Sequence, residues 1–136
     1  IGASKAMKLA LKEAGVSSAG VDYLNPHATS TPIGDISELK AVSAALGNTE
    51  NLRISATKSM TGHLLGAAGA IEAIIAIKAI NDQVIPPTIN IASLDEAVPQ
   101  GMHIVMNEAQ PHKINVAMSN AFGFGGHNAT VVFQKL

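Results

Sequence analysis

A chain of 136 residues with net charge −1, 47% hydrophobic and 14% charged residues can form one packed domain or half of a larger one, and is too apolar for a disordered tail. The near-neutral charge and the lack of basic clusters along the sequence exclude a nucleic-acid surface held by phosphate contacts. No cysteine is present, which removes disulfides, thiolate metal sites and any thiol nucleophile, and with 3% aromatic residues the core must be filled by Ile, Val, Leu, Ala and Met.

In chain order, residues 3–14 place Met7, Ala10, Leu11 and Ala14 at helical spacing, with Gly15 as a stop. VDYLNPH (21–27) reads as a short strand ending in a polar turn, and TSTPIGD as a loop punctuated by Pro32 and Gly34. Ile36, Leu39, Val42 and Leu46 predict a second helix over 35–46, closed by Gly47. LRISATK (52–58) reads as a second strand, and a GH turn leads into a long helix from about 64 to 81. That helix is apolar nearly all round, so both of its sides are expected to be covered. Its apolar run from Leu64 to Ile80 is interrupted by Glu72 and Lys78 and is marginal for a bilayer span of roughly 20 residues, so a buried helix is the better reading. The prolines of QVIPPTIN favour extended backbone. MHIVMNE (102–108), INVAMSN (114–120) and NATVVFQKL (128–136) read as strands, the last two joined by the glycine-rich AFGFGGH. The order helix–strand–helix–strand–helix, then three strands, points to the α/β class, a mixed sheet covered by helices. There is no internal repeat. The start, IGASKAMKLALKEAG, has neither Met nor a secretory signal and reads as the interior of a longer protein.

Four polar clusters fall where a strand meets a loop or helix: NPHATSTPIGD (25–35), TKSMTGH (57–63), Glu72 inside the long helix, and MSNAFGFGGHN (118–128). Ligands collect at loops leaving strand ends, so these clusters could converge. Each has a bland reading. A lone His27 is more often structural than catalytic, and Lys58 would ordinarily be solvated. Glu72, flanked by Ala70, Ile71, Ala73 and Ile74, is harder to dismiss, because a buried unpaired carboxylate is very costly. Lys58 is its nearest partner in sequence, and such a pair could do no more than fix the loop. The GFGG glycines serve either a tight hairpin or close approach of a substrate to backbone N–H groups. His103 and His112 read as incidental, and no histidine spacing suggests a metal site.

Together NPHATSTPIGD, TKSMTGHLLGAAGAIEA, PPTIN and SNAFGFGGHN, in this order, resemble the C-terminal half of elongating 3-oxoacyl-acyl carrier protein synthases. The resemblance covers about Tyr23 to Phe133. It implies one half of a thiolase-like fold, whose two halves form an αβαβα layered core, and thus one domain over 1–136. The family's nucleophile is a cysteine of the other half, so the chain alone is expected to be inactive. His27 and His63 are similar to the two histidines that stabilise the enolate formed when malonyl-carrier protein loses CO2. Lys58 and Glu72 resemble the family's charge pair, and Phe124 its gating phenylalanine, whose N–H completes the oxyanion hole. Thr29 and Thr31 match residues that hydrogen-bond the phosphopantetheine arm. No cofactor is required; some members bind a monovalent cation (Na+ or K+), for which Asn25, Glu72, Ser119 and Asn120 stand at matching positions. The implied partners are an acyl carrier protein, the N-terminal half of the same protein and a second copy in a homodimer, with no nucleic acid or membrane, in the cytoplasm. Ala28 departs from the glycine usual after the first histidine, where a positive φ would strain it, and His127 stands where Thr is frequent. HATST and KSMTGH fit fatty acid synthesis better than polyketide ketosynthases, which usually read HGTGT and KSNxGH. A non-catalytic thiolase-fold partner subunit and a free-standing acyl-binding module are the other readings.

Overall fold

A computed structural model describes all residues, 1–136. Helix α1 (Gly2–Ala14) buries Met7 and Leu11, one turn apart, and ends where Gly15 turns left-handed at φ 66°. Strand β1 (Tyr23–Asn25) leads to α2 (Pro32–Leu46), β2 (Arg53–Ile54), the one-turn α3 (Lys58–Thr61), α4 (Ala68–Asp82) and β3 (Val84–Ile85). β4 (His103–Ile104), β5 (Gln110–Pro111), β6 (Val116–Phe122) and β7 (Asn128–Gln134) follow.

Five strands form one sheet in the order β4-β2-β1-β6-β7, parallel except for the β6–β7 hairpin, while β3 and β5 pair antiparallel apart from it. Alternation along the strands sorts the core. Leu24, Ile54, Val116 and Met118 pack with Met7, Leu11, Leu39 and Val42 beneath α1 and α2. Tyr23 and Ala117 face the other way and pack with Ala76, Ala79 and Ile80 of α4. The result is three layers, helix–sheet–helix. On the outer side α1 and α2 bring Lys5, Lys8, Lys12 and Lys40 around one groove, a basic cluster that is not contiguous in the sequence.

The structure corrects several expectations. α2 begins at Pro32 because Thr31 caps it and proline suits the first helical turn. α4 begins at Ala68, since residues 65–67 form a 3-10 turn that Leu65 enters at φ 52°. The second strand stops at Ile54, and Lys58 opens a helix instead. β5, two residues including a proline, has no legible strand pattern. α4 is covered on its sheet side only: Ile74 is 60% and Ile77 40% exposed. Its apolar outer face has no partner within these residues. No helix is long and apolar enough to cross a membrane.

Candidate active site

Because β1, β2 and β6 run parallel, their C-terminal ends share one edge of the sheet, where loop-borne polar groups gather. β2 delivers Thr57 and Lys58. α4, on the same side, delivers Glu72 from its second turn. Lys58 Nζ donates to Glu72 Oε1 in an ion pair whose residues are 8% and 1% exposed. Burial pushes the Glu72 carboxyl up from its ordinary value, and Lys58 opposes that shift.

Gly62, at φ 70°, turns the chain after α3 and presents His63. The Leu65 N–H donates to His63 Nδ1 at 3.2 Å, which leaves Nε2 to carry the proton as a donor. His27 leaves the end of β1 and meets His63 edge to face, ring centroids 5.4 Å apart at 85°. Phe122 lies 5.8 Å from the His27 ring. Burial first, then the charges of Lys58 and His63, hold His27 below the usual imidazole value. At neutral pH it is an uncharged imidazole with one N–H to give.

Glu38 was not picked out from the sequence, yet it positions His27. Its Oε1 accepts from the His27 N–H at 2.9 Å and from Asn120 Nδ2 at 3.0 Å, and its Oε2 accepts from the Ala28 N–H at 2.9 Å. Those bonds lower a carboxyl that burial, the larger effect, raises. A signal existed: Glu38 shares the apolar stripe of Val42 and Ala45, four and seven residues on. The clamp holds a bent loop, with Ala28 at φ 24° and Ser30 at φ 65°. Ala28 is thus at positive φ, as the departure from glycine suggested. The Ser30 N–H donates to Asp35 Oδ1 at 3.1 Å.

Thr29 is half-buried beside Lys58 and His63 along one shallow cleft. Thr31 Oγ1 is engaged as the α2 cap, accepting from the Gly34 N–H at 3.2 Å. Phe124 is fully exposed at the hairpin tip, where Gly125 and Gly126 have φ 77° and 81°. Asn25 and Ser119 are buried on the sheet face that meets α4; Asn25 donates to Thr57 Oγ1 at 2.8 Å. Asn25 Oδ1 and Glu72 Oε2 are buried without a protein partner. The Asn120 side chain lies on the opposite face, bonded to Glu38 and accepting from Thr130 Oγ1 at 2.8 Å. His103 is exposed, and His112 Nε2 lies 3.2 Å from the Asn51 carbonyl, outside the clefts around His27 and His63.

Two close imidazoles beside a buried lysine–glutamate pair, at the ends of parallel strands, form an arrangement that stabilises negative charge. Residues 1–92 match the family described as Beta-ketoacyl synthase, C-terminal domain. The chain belongs to this family. It is 50% identical over 135 residues to 3-oxoacyl-[acyl-carrier-protein] synthase 2 of Staphylococcus aureus, covering 98% of this chain and 32% of that protein. Among solved structures, a beta-ketoacyl synthase from Burkholderia phymatum STM815 superposes with TM-score 0.91 at 36% identity, over 98% of this chain and 32% of that one. The ishigamide ketosynthase/chain length factor gives TM-score 0.92 at 33% identity, over 98% and 32% of the two chains. The fold is therefore the thiolase-like fold of ketosynthases. The chain spans about a third of the length of the relatives it matches.

Proposed function

We propose that this chain is the C-terminal half of a condensing enzyme that extends acyl groups on a carrier protein in fatty acid synthesis. The observation that carries the reading is the His27–His63 pair, rings 5.4 Å apart, set against the buried Lys58–Glu72 ion pair. In this reading malonyl-carrier protein loses CO2, and the electrons of the broken C–C bond pass into the thioester as an enolate. His27 and His63 each donate an N–H to its oxygen, which offsets charge where it develops. The enolate carbon then attacks an acyl thioester held on a cysteine of the other half. A C–C bond forms and the cysteine thiolate leaves. The Phe124 N–H would serve the oxyanion of that second step. Lys58 and Glu72 compensate each other's burial and hold the α3 turn that presents His63.

Thr29, with its hydroxyl free of the capping role that occupies Thr31, is the better placed of the two to bond the phosphopantetheine arm. A monovalent cation fits the buried, unpartnered Asn25 Oδ1 and Glu72 Oε2, with Ser119 on the same sheet face; Asn120 would contribute no side-chain ligand. Such an ion would neutralise part of the Glu72 charge. The N-terminal half of the same protein is the natural cover for the exposed Ile74–Ile77 face of α4.

The test is intact mass of the full-length parent after incubation with an acyl-carrier protein. A gain of one acyl group, lost on thioester cleavage, is expected, with His27→Ala and His63→Ala loading normally but failing to decarboxylate malonyl-carrier protein. The likeness to a ketosynthase/chain length factor favours a second reading, a non-catalytic partner subunit. No mass gain with the carrier still bound would select it and overturn the first.

A further inference from the structure

His27 and His63 share their cleft, about 450 Å³, with a third imidazole, His127 of the β6–β7 hairpin. No Asp, Glu, Lys or Arg lines that cleft. Its other polar side chain, Asn128, is spent on the Gly126 carbonyl at 3.1 Å. The three histidines are not grouped as a metal site. His127 is anchored through its backbone, its carbonyl accepting from the Gly123 N–H at 2.7 Å. Its ring rests against Gly125, where an added Cβ would lie 3.6 Å from the ring's Cδ2. No group of the chain claims its ring nitrogens by hydrogen bond or ion pair. An exposed imidazole held through its backbone, its ring nitrogens unclaimed, in a wall with no carboxylate is suited to an anion.

We propose that His127 is a specificity-determining residue of this cleft, its ring N–H taking the free carboxylate of the malonyl extender. This rests on the condensing reading. A malonyl thioester carries two oxygen-bearing ends. His27 and His63 serve the thioester oxygen, and the unclaimed third donor, arriving from another element, meets the carboxylate. The contact belongs to the ground state, because the carboxylate departs as CO2. It therefore favours binding of malonyl over plain acyl groups without speeding the chemical step.

The test uses the full-length parent with His127→Leu, which keeps bulk without an N–H, and His127→Gln, which restores one. The Leu variant should raise KM for malonyl-carrier protein about 10-fold, the worth of one hydrogen bond to a charged group. Its kcat should rise along with KM rather than fall, because a contact made only in the ground state stabilises the bound substrate and not the transition state. Its loading by an acyl-carrier protein should be unchanged, and Gln should restore most of the malonyl KM. Equal weakening toward both carriers would overturn the proposal, since they share the pantetheine phosphate and differ in the carboxylate. An unchanged malonyl KM, or loss in Leu and Gln alike, would also overturn it. Failure of the unsubstituted parent to decarboxylate malonyl-carrier protein would instead sink the condensing reading, and this proposal with it.

Discussion

Glu72 and Glu38 show how a carboxylate inside an apolar helix stripe predicts a partner but not what that partner does. The costly burial of Glu72 pointed to Lys58, and the ion pair is there. Glu38 was not picked out in the sequence because its partners are backbone N–H groups and Asn120, 82 residues away, which no local pattern reports. The same neighbourhood sets the protonation of His27. Its depressed value means the unfolded chain binds more protons than the folded one as pH falls below about 6.5, the ordinary imidazole value. This histidine's contribution is complete above that pH and is lost on acidification through the lowered folded-state value. The His27 ring resonances should titrate below those of a free histidine by NMR. In Lys58→Ala the midpoint should rise, since a repelling charge is gone and Glu72 is left uncompensated. An unchanged midpoint would show that Lys58 does not act on His27.

At the scale of elements, caps explain the helix starts better than periodicity did. Thr31 places the start of α2 four residues before Ile36, the first apolar repeat position, and leaves Ser30 and Ala28 to absorb the bend of the preceding loop. Gly34 belongs to the same device, since a Cβ there would fall 2.3 Å from Thr31 Oγ1. Thr31→Ala should lower stability by about 1 kcal/mol, and Thr31→Ser should retain most of it. Chemical denaturation of the full-length parent reads both; equal stability in all three proteins would remove the cap from the account. The lengths of β1, β2 and β4 were overestimated because the extended segments continue as loops past two or three paired residues, and pairing is a property of neighbours rather than of one strand.

Over the whole molecule, the outer side of α4 is the feature that these 136 residues leave without the expected cover. Apolar residues all round the helix imply cover on every side, yet Ile74 and Ile77 face outward here. Exposed apolar surface of this kind drives association. The isolated chain should therefore sediment as oligomers, and Ile74→Lys with Ile77→Lys should return it toward the monomer. In the full-length parent the same pair of changes should instead destabilise the fold. A monodisperse isolated chain without the substitutions would argue that this face is self-sufficient.

Period-2 and period-3.6 patterns and the glycine stops were enough to reach the α/β class, a mixed sheet covered by helices, and the four polar motifs carried the family resemblance that singled out candidate residues, because those signals are local in the chain. The 5.4 Å approach of His27 and His63, the clamp of Glu38 on the His27 loop and the entry of His127 into the same cleft were not legible. They depend on which strands lie side by side: β1 pairs with β6, whose segments are some 90 residues apart in the chain, and with β2, so that three loops empty onto one edge. Strand order is settled by the packing of α1 and α2 on one face and α4 on the other, a balance struck by all the buried side chains together.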